Sequence, residues 1–334
     1  MRVRRFLGRI MRLARRLLPG PPPLVFMHIP KTAGTSLMYS VSEALHPRIE
    51  VRGFDRCLFG GFSAFDTMAP AILQNVYMTP KQLPIDAQAV MGHFAYSTLT
   101  ARYKRARLVT FLREPHVRLL SHFVYWRCQT DAALVDNGPL WSARVASART
   151  SLRRFLENPQ AACQTDNVAL RMLVWPHAMI PDDDFIDPAH DRELLQIALC
   201  RLKSFDFVDI VERQRGAIAG LGNWLGIPLE NKRLNETDDV PLELQTELYQ
   251  ELDEQTLRLL NARTRLDLRL WYFVARLTCG EAELEGLRAE ALRHGVARLS
   301  RRLAPNKGAA QTSGEEFDWS NLAQRLTASE LVTN

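Results

Sequence analysis

Cysteine is scarce in this chain: Cys57, Cys128, Cys163, Cys200 and Cys279 are the five in 334 residues, odd in number and with no CxxC pair. Such spacing excludes a disulfide scaffold and offers no structural zinc motif, so reduced core thiols in a cytosolic protein are expected. With 17 Gly and 18 Pro the chain is neither collagen-like nor of low complexity. Also lacking is an apolar run of the roughly 18 to 20 residues that cross a bilayer, and no signal-peptide h-region or cleavage site is found. What is present, 46% hydrophobic and 24% charged residues, is globular. The length suits one large α/β domain with an extension, or two domains.

Acidic residues are missing in one place. Arg2, Arg4, Arg5, Arg9, Arg12, Arg15 and Arg16 precede Pro19 with no Asp or Glu among them, so removing these seven from the formal +6 leaves the rest at −1. A body of that charge gives no reason to expect nucleic acid as a partner. In the basic segment Phe6, Ile10, Leu13 and Leu17 recur at helical spacing. Two readings of residues 1–18 stand side by side: a frayed leader, or an amphipathic helix lying on an anionic membrane surface. Either way the expected location is the cytoplasm, in the second case peripheral at the inner face of a membrane.

A Gly-Pro-Pro-Pro spacer (20–23) separates this segment from the body. Strands are predicted at Leu24–Ile29, Ala89–Met91, Arg107–Leu112 and Phe205–Val211. Helices are predicted at Gly34–Leu45, Pro115–Arg127, Ser151–Leu156, Thr165–Val174, Pro188–Lys203, Gly216–Leu225, Leu242–Leu260, Asp267–Thr278 and Glu281–Leu303. Pro47–Gln88 reads as irregular. Strands separated by helices imply an α/β fold whose central parallel sheet is flanked by helices in three layers, with a helix-rich C-terminal half. The organisation expected is residues 1–23 as basic segment and spacer, 24–279 as the main domain, 280–303 as a C-terminal helix, and 304–334 as a polar tail whose composition predicts mobility.

Chemistry concentrates where the first strand meets its helix, in His28-Ile-Pro-Lys-Thr-Ala-Gly-Thr-Ser36. A tight loop with Lys31 and Gly34, opening a helix at Thr35 and Ser36, gathers amides and hydroxyls around one anion-sized spot. A Walker A loop reads GxxxxGK[ST]; here the lysine precedes the glycine and the loop is shorter.

After an apolar strand, HIPKTAGTS resembles the 5′-phosphosulfate loop of sulfotransferases that use PAPS (3′-phosphoadenosine 5′-phosphosulfate). FLREPHVRLLSHFVYWR, Phe111 to Arg127, is similar to that family's 3′-phosphate segment, in which a strand-ending arginine and a serine eight residues later hold the phosphate; Arg113 and Ser121 match. The heparan sulfate and uronyl 2-O-sulfotransferases and their bacterial relatives are the subgroup most resembled, through Met91-Gly-His93. Their motif there is His-Gly-His with the second histidine as base, so His93 matches and Met91 departs from the pattern. By motif order the resemblance runs from Leu24 to Phe273.

The resemblance implies a P-loop-like fold and in-line sulfuryl transfer from PAPS to a carbohydrate hydroxyl. It assigns His93 as base and Lys31 to stabilise charge on the departing 5′-phosphate, and places Lys31, Thr32, Ala33, Gly34, Thr35 and Ser36 on the 5′ side. Arg113 and Ser121 fall on the 3′-phosphate, with Asn235 and Thr237 near the nucleotide. No metal is required by this scheme. His28 is expected to be structural, His116 and His122 to lie on different helix faces, and Arg171 and Asp267 to be buried partners. Arg102, Lys104, Arg127, Arg144 and Arg149 are candidate contacts for an acidic acceptor.

Two other classes stay open. A P-loop-type small-molecule kinase would take ATP and Mg²⁺, with Glu114 the nearest acid for the metal. A non-catalytic, membrane-associated protein of nucleotide-binding fold would explain Met91.

Overall fold

In a computed structural model of the chain the described residues are 21–32, 34–230, 240–304 and 325–326. Five strands form one sheet, β1 (Leu24–Met27), β2 (Glu50–Val51), β5 (Ala89–Gly92), β6 (Arg107–Leu112) and β7 (Phe207–Ile210), in the order β2-β5-β1-β6-β7. Every neighbouring pair is parallel. β3 (Phe54–Asp55) and β4 (Val76–Tyr77) make a separate parallel pair; like β2, they lie in the stretch expected to be irregular. Helices of at least seven residues are numbered α1 (Gly34–Leu45), α2 (Tyr96–Arg102), α3 (Pro115–Arg127), α4 (Pro139–Ala146), α5 (Val168–Val174), α6 (Asp191–Leu202), α7 (Arg215–Leu225), α8 (Glu254–Cys279) and α9 (Leu284–Leu303).

The period of two along a strand sorts its side chains to opposite faces, and β1 shows it. Leu24 and Phe26 cluster with Met91, Phe111, Leu37 and Val41 of α1, and Leu221 of α7. Val25 and Met27 cluster with Val90, Leu108, Leu99 of α2, Met172 of α5, Leu194 of α6 and Trp271 of α8. Helices cover both faces, which is why these strands are apolar throughout. A third apolar cluster joins Val117, Leu120 and Val124 of α3 to Trp141 of α4, Leu257 of α8, and Leu292, Val296 and Leu299 of α9.

Several expectations are corrected. The two helices expected at 242–260 and 267–278 are replaced by a 3₁₀ turn, Leu242–Leu244, a single helical turn, Leu248–Glu251, and the long helix α8. The reason is local: the Asp253 carboxylate accepts from the Thr256 N–H and caps α8, and nothing in Asn261–Leu266 breaks it. The helix expected from Thr165 starts only at Val168, because Asn167 takes a left-handed conformation, φ 46°. Arg171 pairs with Asp166 at 2.9 Å, not with Asp267. Asp267 instead accepts from the Ala169 and Leu170 amides at the start of α5, and burial raises its pKa to about 6. None of the five cysteines is in a disulfide, and Cys200 is exposed rather than in the core.

Candidate functional site

Parallel pairing carries the residues after β5, β1, β6 and β7 to one edge of the sheet: Met27 lies opposite Gly92 and Thr110, and Leu112 opposite Ile210. The carboxyl edge of a parallel sheet, beside its central strand, is where open α/β folds bind ligands. His93, the loop from His28, and Arg113 meet there.

In the loop, Lys31 adopts a left-handed conformation, φ 68°, which is uncommon for a residue with a side chain. Hydrogen bonds hold it: the Thr32 hydroxyl donates to the Ile29 carbonyl at 2.8 Å, and Arg113 Nη1 donates to the Lys31 carbonyl at 2.9 Å. The Thr32 amide also donates to Ile29, at 3.3 Å. Both Thr32 donors are therefore engaged inside the loop, and Gly34, just beyond it, opens α1. The Lys31 ammonium sits 4.1 Å above the Tyr125 ring. Burial, then the Arg113 guanidinium, lower its pKa to about 8. Arg113 is itself lowered to about 10, by burial and then by Arg298.

α3 explains how its side chains are shared out. Every residue of α3 is buried except Ser121 and Tyr125, one turn apart on the same face. Since Tyr125 carries Lys31, Ser121 belongs to the face that the loop approaches. The helix starts at Pro115, with Glu114 as N-cap. Glu114 accepts from the Val117 N–H and His116 Nδ1, both at 2.8 Å. Burial alone would raise its pKa, but His116, Arg288 and the Val117 amide together outweigh that and hold the carboxyl below its ordinary range. From the end of β7, Glu212 accepts from the Glu114 amide at 2.8 Å and from Trp271 Nε1 at 3.0 Å. The turn bearing Arg113 is thus fixed from two sides.

His93 follows β5. Its Nδ1 lies 2.6 Å from the His28 carbonyl oxygen, and a carbonyl only accepts, so Nδ1 carries the hydrogen. In the neutral ring Nε2 then holds the lone pair, and no hydrogen bond among the described residues takes it up. The ring lies between Phe54, at 5.3 Å, and His28, at 4.4 Å, both stacked. Burial lowers its pKa to about 4, so it is neutral at neutral pH.

His28 is almost fully buried, and among the described residues neither ring nitrogen has a hydrogen-bond partner. Burial, then His93, hold its pKa well below the usual value. A Cβ built on Gly34 would fall 2.0 Å from the His28 ring, so only glycine lets α1 begin so close to it. Gly34→Ala is accordingly expected to cost about 1–3 kcal/mol, as core overpacking does. Urea unfolding checks this, and adding His28→Ala to Gly34→Ala should recover part of the loss; additive costs would show that the two sites are not coupled.

Sequence reasoning overlooked Arg118 and read His122 only as lying on a different helix face from His116. Arg118 and His122 lie one turn apart on α3, both buried, and Arg118 Nε and Nη2 have no hydrogen-bond partner among the described residues. Burial, then Arg118, then Lys31, hold the His122 pKa well below its usual value, so this ring is near the loop rather than merely on another helix face. The available signal in the sequence was the i, i+4 spacing of Arg118 and His122 on one helix face.

Ala33, Asn235 and Thr237 lie outside the described residues, as do the side chain of Thr35 and the basic segment 1–20. Three of the candidate acceptor contacts have partners within the chain. Arg127 donates to the Leu244 and Ala148 carbonyls, Arg144 forks onto Asp183 at 2.9 and 3.1 Å, and Arg149 pairs with Asp131 at 2.6 Å. These guanidinium groups tie loops together. Arg102 ends α2, and Lys104 is exposed just beyond it. Met91 is fully buried in the apolar layer beneath α1, and the histidine ring stacked on His93 is His28. Among the described residues, no group of three or more His, Cys, Asp or Glu is disposed to hold a metal ion, and no helix is long and apolar enough to cross a membrane. No model of a known protein family matches the chain, and no curated protein matches it.

Proposed function

We propose that this protein is a PAPS-dependent O-sulfotransferase of P-loop-like fold, acting on a carbohydrate hydroxyl. One observation carries the reading. The two segments that resemble cofactor motifs lie at the ends of adjacent strands, β1 and β6, joined by the bond from Arg113 to the Lys31 carbonyl, with a histidine at the end of the other neighbour of β1. Arg113 and Ser121 take the 3′-phosphate, the planar fork suiting phosphate oxygens. Lys31 and the first-turn amides of α1 hold the 5′ side, where negative charge grows as the bond to sulfur breaks. PAPS supplies an activated sulfuryl group. His93 accepts the proton of the attacking hydroxyl at Nε2 while Nδ1–H stays on the His28 carbonyl, which fixes the ring in place. His28 and Phe54 hold the two ring faces, so His28 is a positioning residue.

Incubation with radiolabelled PAPS and a panel of polysaccharides tests the reading. Label should enter a polysaccharide; transfer from ATP with Mg²⁺ instead would favour a kinase.

The Lys31 pKa gives a second check. A lysine lowered to about 8 loses its charge as pH rises through that value. A bound dianion favours the charged form, so binding takes up a proton above pH 8, and affinity for adenosine 3′,5′-bisphosphate should fall there by up to about tenfold per pH unit. Lys31→Arg should remove the bend. Titration calorimetry between pH 7 and 9.5 reads it out (roughly the span a lysine of this kind covers).

The basic segment 1–18 is proposed to place the enzyme on an anionic membrane surface at the cytoplasmic side. Deleting Met1–Arg16 should abolish sedimentation with anionic vesicles; unchanged binding contradicts it.

A further inference from the structure

The C-terminal helix α9 lies beyond the part of the chain that resembles sulfotransferases, yet it is laid along α3. Arg288, Gly295 and Arg302 are seven residues apart in turn and so run down one line of the helix. At the first, Arg288 Nε is 3.5 Å from the Glu114 carboxylate, next to Arg113. At the second, a Cβ on Gly295 would fall 2.4 Å from Val117 Cγ1, so the two helices touch through the glycine. Leu292, Val296, Leu299 and Leu303 seal the contact in the shared apolar cluster. Two turns further the line reaches Arg302, with Arg298 one turn before it on the same side. Both guanidinium groups bear on the Lys31 ammonium, and Arg298 is the charged group with most effect on Arg113.

We propose that α9 forms a third wall of the anion site, and that Arg298 and Arg302 bind the phosphate-bearing end of the nucleotide together with Lys31 and Arg113. This rests on the function proposed above and assigns nucleotide-binding residues to a helix outside the motifs. Arg298 is exposed and Arg302 half-buried, so both side chains can reach a ligand at the mouth of the site.

The test is calorimetric binding of adenosine 3′,5′-bisphosphate to full-length wild type, Arg298→Gln, Arg298→Gln/Arg302→Gln, Arg298→Lys/Arg302→Lys and Arg113→Ala. The double glutamine variant should bind at least about tenfold more weakly, the exposed single variant less so, and the lysine pair should recover part of the loss. Arg301→Gln, on an exposed neighbouring position, should bind like wild type. Wild-type affinity in both glutamine variants, alongside a loss in Arg113→Ala, overturns the role of α9 and leaves the proposed function standing. A wild type with no preference for the bisphosphate over ATP overturns both.

Discussion

His93→Asn is expected to lower turnover by about 10² to 10⁴, the range for losing a positioned general base, with nucleotide affinity nearly unchanged. Asparagine is the informative replacement because its amide can still donate to the His28 carbonyl, as Nδ1 does at 2.6 Å, while nothing replaces the Nε2 lone pair. A loss of activity in a protein that melts at the wild-type temperature would therefore belong to proton transfer. The pH profile adds a sign. With its pKa lowered to about 4, His93 is an unprotonated base across the neutral range, and kcat/KM should hold down to pH values where an ordinary histidine has already charged. The bound nucleotide is anionic and favours the imidazolium, so the acid limb of kcat should lie above that of kcat/KM. An asparagine variant with wild-type turnover would remove His93 from the mechanism.

Arg113→Ala carries the second large effect. It should weaken adenosine 3′,5′-bisphosphate by about 2 kcal/mol or more, roughly thirtyfold, and leave 5′-AMP less affected, since only the former has the 3′-phosphate that Arg113 is proposed to bind. Part of the loss has a second origin. The guanidinium also donates to the Lys31 carbonyl, and without it the left-handed turn loses one of the hydrogen bonds that hold it. Arg113→Lys separates the two, because it keeps charge without the fork, so it should recover only part of the affinity. Competition titration of both nucleotides against both variants measures the difference. Equal losses for the two nucleotides would assign Arg113 to the loop alone.

How much of this was legible follows from what each signal depends on. β1, β6 and the helix from Pro115 to Arg127 were readable because an apolar run beside Pro and Gly punctuation is a local property. The same holds for the loop that joins β1 to α1. β2, β3 and β4 are two residues each, too short for any period to show. Arg118 and His122 were obscured because α3 is buried on nearly every side, and a helix without a polar face gives periodicity nothing to report. Arg171 was matched with Asp267, whereas Asp166 supplies its partner across the left-handed Asn167, a backbone turn that pattern does not reveal. The arginines assigned to an acceptor were read as loop charges, yet Arg127 and Arg144 are buried on carbonyls and an acid brought from far along the chain. Chemistry-bearing residues were legible as types; their partners depended on tertiary placement.

The most direct test of the central claim is a competition titration of the wild-type protein with adenosine 3′,5′-bisphosphate, 5′-AMP, and ATP with and without Mg²⁺. A site built from Arg113 and Lys31 for two separate phosphates should bind the bisphosphate at least about tenfold more tightly than the others, with no requirement for Mg²⁺. ATP binding equally well or better, and only with Mg²⁺, would contradict the sulfotransferase reading and point to phosphoryl transfer.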